Sequence, residues 1–309
     1  MALTELELDG CLARARSVAL GMMYSTDLDS AGSPGCWFGG HPTLPPEVDW
    51  PNYYCETLKT SIPMHFILQM NVAEIPQVLD LPTMPRSGSI FVFIDQAVAA
   101  AFKGPFEQGK GAKVIYVPDD VSNFEPRKAP DMPDLKALFK KNVKNRYLEF
   151  YDVVSQEYWD GAKEILGVTS PSGLRRCPFE FLAFDTYEKP KWDSPVRKEV
   201  RRKWGESLKL VQNALGSYGS KADKNRNSYP HQIFGAARLS NIPTSKNMNE
   251  LDIQDKLPPL PDDHIQFMSI HHDDFLGFSM PNGHSIGLWT DKAGLAVGKF
   301  EDLRIWPEY

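Results

Sequence analysis

The sequence predicts an α+β fold, mostly antiparallel sheets from two related halves with flanking helices. Three observations point there. Short runs of β-forming residues occupy 64–72, 89–95, 112–118, 264–272 and 285–291. One strand-turn-strand pattern occurs twice. Helical apolar spacing lies before and between those runs.

The strands come first. "SIFVFID" at 89–95 is dense in Ile, Phe and Val and follows the turn-like "PRSG". "AKVIYVP" at 112–118 closes on a proline, and "MHFILQMNV" at 64–72 is an apolar run of strand length. The repeat comes from comparing "MHFILQM" and "MPRSGSIFVFID" with "IQFMSI" and "MPNGHSIGLWTD". Each holds an apolar strand, a Met-Pro turn with Gly, then Ser-Ile and a strand ending in Asp. The expectation is a single large domain over 1–309. Its β-rich halves, about 31–118 and 229–306, are joined by a partly helical middle segment.

Helices are expected at 4–23, 134–143, 156–166 and 194–219. In the first, Leu8, Leu12, Ala15, Ala19 and Met22 keep one face, and Thr4 with Glu7 has capping-box spacing. The last begins at Ser194 and Pro195 and ends at Gly216. Its early turns carry Arg197, Lys198, Arg201, Arg202 and Lys203, which read as a solvated face or, less economically, a dock for an acidic partner.

The 309 residues are 42% hydrophobic, 11% aromatic and 24% charged, an ordinary globular balance able to bury a core unaided. A net charge of −6, from 34 basic and 40 acidic residues, argues against general nucleic-acid binding. An acidic start without Lys or Arg does not resemble a secretory signal, and no run has the length of a membrane span. The expected location is the cytoplasm. Cys11, Cys36, Cys55 and Cys177 form no CxxC and are expected as buried thiols.

No complete catalytic constellation is visible. GxSxG and HExxH are absent. "GPFEQGKG" at 104–111 approaches a phosphate-binding loop, but Gly111 replaces the hydroxyl residue that would hold magnesium. A hairpin connection is the expectation there. "HHDD" at 271–274 offers four possible ligands, yet adjacent strand side chains face opposite ways. A turn could gather His271 with Asp273 or His272 with Asp274; a polar strand end is favoured, with no metal and no cofactor. His231, His264 and His284 are scattered. Gln69 stands inside an apolar strand, where a buried amide needs partners. It reads first as a structural amide fastening a loop, second as a ligand contact. Any ligand site would draw on Gln69, His231, His271, His272, Asp273 and Asp274, in a polar pocket between the halves.

"GCWFGGHPTLPPEVDWP" at 35–51 is crowded with Gly, Pro and Trp. Gly39 and Gly40 permit unusual backbone angles, Pro42, Pro45 and Pro51 stiffen the chain, and Trp37 and Trp50 are large anchors. This predicts an ordered irregular segment draped over a sheet.

That segment, with "MHFILQMNVAEIP" and "LPTMPRSGSIFVFID", resembles the YwqG-like bacterial family of unknown function. The resemblance rests on Gly39, Gly40, Pro42, Leu44, Pro45, Trp50, Pro51, Gln69, Asn71, Leu81, Pro82 and Gly88. His231, Gly235 and "KFEDLRIW" resemble the family's closing elements, while Ser269 stands where its second Gln is expected. It implies a cytoplasmic protein without established catalysis. Some relatives occur in toxin–immunity settings, so the expected partner is a toxin or other cytoplasmic protein. The alternative is an enzyme or small-ligand receptor.

Overall fold

The structure, a computed structural model, describes residues 16–24, 35–55, 60–94, 111–131, 176–187, 231–235, 263–271 and 285–308, with a few isolated positions between them. Among the described residues, ten strands form one nearly closed antiparallel sheet. They are β1 (Arg16–Tyr24), β2 (Trp37–Phe38), β5 (His65–Asn71), β6 (Ser89–Ile94), β7 (Ala112–Val117), β8 (Cys177–Tyr187), β9 (His231–Phe234), β10 (His264–His271), β11 (Ser285–Asp291) and β12 (Arg304–Glu308). Their order is β12-β11-β10-β9-β1-β8-β2-β5-β6-β7. A small ribbon pairs β3 (Asn52–Cys55) with β4 (Thr60–Pro63). A 3-10 turn (Val72–Glu74) follows β5, and α1 (Lys292–Ala296) follows β11.

The expectation of an α+β fold with flanking helices is corrected. Strand makes up about 49% of the described residues and helix about 11%, so the described structure is mostly β. The clearest misreading is 4–23, whose second part is β1. Every residue from Val18 to Tyr24 is buried. A strand in the middle of the sheet, covered on both faces, shows no in-out alternation, and its apolar run also satisfies helical spacing. The 134–143 and 156–166 helices and the 104–110 loop lie outside the described residues. Of the 194–219 helix, the described positions are helical.

Cross-strand register sorts side chains onto two faces. In the first half Phe38, Leu68, Val92 and Val114 stand abreast on the inner face, within the main core. Trp37, Gln69, Phe91 and Ile115 stand abreast on the outer face. There Trp37, Phe66, Phe91 and Phe93 meet Leu44, Trp50, Val121 and Ala129, which drape over them as a second core. Each such large side chain contributes about 1.5–3 kcal/mol by leaving water. In the second half Ile233, Met268, Leu288 and Ile305 face inward and join the main core.

The two hairpins share details. β5–β6 has a register shift between Phe66 and Leu68, and β10–β11 has one between Gln266 and Met268. At the end of the strand paired with each hairpin, β2 in one case and β9 in the other, stand two consecutive residues of positive φ: Gly39 and Gly40 after β2, Phe234 and Gly235 at the end of β9. The sheet curls until its ends meet. Gly298, beyond α1, lies so close to Tyr116 of β7 that a Cβ would stand 2.2 Å from the ring.

Candidate functional site

The outer face of the first half holds Gln69. Its Oε1 accepts from the Thr43 backbone N–H at 2.9 Å, and its Nε2 donates to the Thr43 hydroxyl at 2.8 Å. Both residues are buried. The amide therefore fastens the Gly-Pro segment to β5, and the same segment is held elsewhere. Trp50 Nε1 donates to the Met64 carbonyl at 2.9 Å, and the Arg127 backbone N–H to the Pro42 carbonyl at 2.7 Å. Arg176 lies 4.9 Å over the Trp37 ring. Residues 35–51 are the ordered, draped segment expected, with Pro42, Pro45 and Trp50 buried.

A second cluster stands at the end of β9. The His231 ring packs 4.8 Å from Phe38 and stacks 6.2 Å from Tyr24. Its Nδ1 accepts the His271 backbone N–H at 3.0 Å, so the ring proton sits on Nε2, which faces Asp273 Oδ2 at 3.3 Å. Tyr24 donates its hydroxyl to the same carboxylate oxygen, and the Leu276 N–H meets the other at 3.0 Å. Burial works to raise the Asp273 carboxyl. The hydrogen bonds from His231, Tyr24 and Leu276 outweigh it and hold the group below the usual carboxylate range. Asp273 also closes a tight loop by exchanging backbone hydrogen bonds with Phe278.

The chemistry of this cluster is restricted. An Asp–His pair becomes a general base only if one ring nitrogen is left for a substrate. Here one nitrogen takes a backbone N–H and the other faces the carboxylate. Ser269 Oγ lies 3.2 Å from His271 Nε2, a nucleophile-and-base pairing by distance. Ser269 is fully buried, so no substrate reaches its hydroxyl.

The outer face of the second half is polar where that of the first is aromatic. Gln232, Ser269 and Gly287 stand abreast, and Gln266, Trp289 and Arg304 form the next row. Gln232, Ser269, Gln266 and Trp289 are buried. Among the described residues, Gln232 Oε1, Trp289 Nε1 and Arg304 Nε have no hydrogen-bond partner.

The sequence-level candidates thus separate. His231, His271 and Asp273 converge, while Gln69 stands in the other half on the outer face. His272 and Asp274 lie outside the described residues. Among the described residues, no group of three or more His, Cys, Asp or Glu could hold a metal ion. His264 is occupied between Asp263 Oδ1 at 3.0 Å and the Asp302 carbonyl at 3.2 Å. Sequence reasoning missed Tyr24, Gln232, Trp289 and Arg304. The argument that singled out Gln69 applies equally to Gln266 and Ser269, polar residues inside the apolar run of β10.

Cys36 and Cys177 are buried thiols. Among the described residues no helix is long and apolar enough to cross a membrane. Arg202 in the basic stretch pairs with Glu199 at 2.9 Å and also with Glu206, so part of that charge is neutralised locally. The family described as "Domain of unknown function (DUF1963)" matches residues 37–291. No curated protein matches the chain.

Proposed function

The chain belongs to the DUF1963 family of unknown function, and on that footing we propose that it acts by binding and not by catalysis. One observation carries the reading: both ring nitrogens of His231 are committed inside the protein, one to the His271 N–H and one to Asp273. The best-formed acid-base pair among the described residues is a fastening, as Gln69 is. A YwqG-like, cytoplasmic setting belongs to the same reading, supported by the Gly39–Pro51 segment and by the buried thiols. In one version the partner is a bacterial toxin neutralised by protein contact.

Related halves within a single domain are part of the proposal, supported by the matching hairpin shifts and left-handed pairs. Gentle recovery of the tagged full-length chain from its native cells tests the partner. One protein retained in fixed ratio is the expected result, and recovery of the lone chain would overturn it.

A second reading, a small-ligand receptor, is favoured by the partnerless polar atoms on the outer face of the second half.

A further inference from the structure

The polar outer face of β9–β12 contrasts with its counterpart in the first half. Relative to the hairpin shifts, Gln266 takes the place of Phe66, Gly287 that of Phe91 and Trp289 that of Phe93. Gly287 puts no side chain in the middle of the face, in the row next to Trp289 and Arg304 and beside Gln232 across β10.

The indole Nε1–H of Trp289 and the Nε–H of Arg304 can only donate. Both are buried without an acceptor, on residues directly opposed across β11 and β12. Trp289 is 9% exposed. Cross-strand neighbours place their Cβ atoms about 4.5–5.5 Å apart, so the two donors can reach one group. Arg304 is not wholly enclosed: its side chain is 16% exposed, and its Nη2 donates to Asp302 Oδ1 at 3.1 Å. The exposed part of Arg304, on the last strand of the order, is the side from which a small ion reaches the pair.

We propose that this face binds a small carboxylate, which accepts from Trp289 Nε1 and Arg304 Nε. The charge of Arg304 calls for an anion, and two donors side by side suit a planar carboxylate. Asp302 beside the guanidinium disfavours a more highly charged anion such as phosphate. Gln232 Oε1 stands on β9, two strands from Trp289 and three from Arg304, so about 10 Å or more away by strand spacing, and accepts from a donor elsewhere on a larger ligand. The proposal does not depend on the protein-partner reading, and its failure would leave that reading standing.

Indole resonances of the full chain, isotopically labelled at its seven tryptophans, provide the test. Trp289→Phe identifies the Trp289 signal. Sodium formate, the smallest carboxylate, is titrated against sodium phosphate and sodium chloride at matched pH and ionic strength. Formate is expected to move the Trp289 N–H saturably, phosphate to bind at least threefold more weakly, and chloride to give no saturation. Arg304→Gln is expected to weaken formate at least tenfold. Arg304→Lys, which keeps charge but loses the guanidinium fork, should weaken it at least threefold and carries the test should the Gln variant not fold. A formate response equal to that of chloride would mean that water alone fills the face, and would overturn the proposal. So would phosphate binding as tightly as formate, or formate affinity unchanged in the Arg304 variants.

Discussion

Single side chains in this protein do two distinguishable jobs, fastening and titrating. Gln69 fastens. In Gln69→Leu the Thr43 N–H and hydroxyl lose their buried acceptor and donor, at an expected cost of about 1–3 kcal/mol in urea unfolding. Thr43→Val should show a similar loss, and the double variant less than the sum, because one clasp is broken twice. An additive result would mean the clasp is not a unit.

His65 titrates. It is buried, and desolvation lowers its pKa to about 4, against a backbone hydrogen bond with Ile94 that works the other way. The unfolded chain takes up a proton below about pH 6.5 and the folded one does not. Stability is therefore full above pH 6.5 and falls as pH drops towards 4, by roughly 3 kcal/mol. His65→Gln should flatten that window in unfolding measured from pH 7 to 4. Asp273 acts lower on the scale. Its depressed carboxyl contributes stability above its ordinary value, lost as acidification carries it through the folded value. Asp273→Asn should remove that acid-side slope while leaving the His65 window intact.

At the level of elements, the strands that announced themselves were those with turn chemistry beside them. β5, β6, β7, β10 and β11 carry β-branched and aromatic residues between Gly or Pro punctuation, and all lie within two residues of their expected bounds. β1 was hidden because Leu20, Met22 and Ala19 serve opposite faces that are both covered. β2 is two residues long, and only its partners make it a strand. The candidate cluster was half legible for a related reason. His271 and Asp273 are neighbours in sequence, but Tyr24 reaches Asp273 from a position 249 residues away. No local pattern encodes that meeting.

Gly298 marks where an element's end is dictated by another element. It has φ of +73° and faces the Tyr116 ring without room for a methyl group. Gly298→Ala should lose at least 1 kcal/mol from backbone conformation alone. Tyr116→Ala in the same background should restore part of the loss if the clash is the cause. A double variant no better than the sum would assign the whole cost to backbone angle.

At the level of the molecule, the centre of the sheet is the antiparallel pair of β1 and β8. β1 continues through β9 into the later strands, and β8 continues through β2 into the earlier ones. Each central strand thus extends the sheet formed by the other part of the chain. Amide hydrogen exchange in β1 and β8 is expected to require global unfolding, with the same free energy in both strands. Faster exchange in either one would show that part of the sheet opens by itself.

The crossing of β1 and β8 also has a bearing on biosynthesis. Ser17 meets Thr186 across 169 residues of chain, and β9 and β10 come later still. A growing polypeptide leaves the ribosome with β1 complete and neither of its sheet neighbours yet made. Such distant closures form slowly, and until they form, an apolar ribbon with open backbone on both edges must be kept from pairing with other nascent chains.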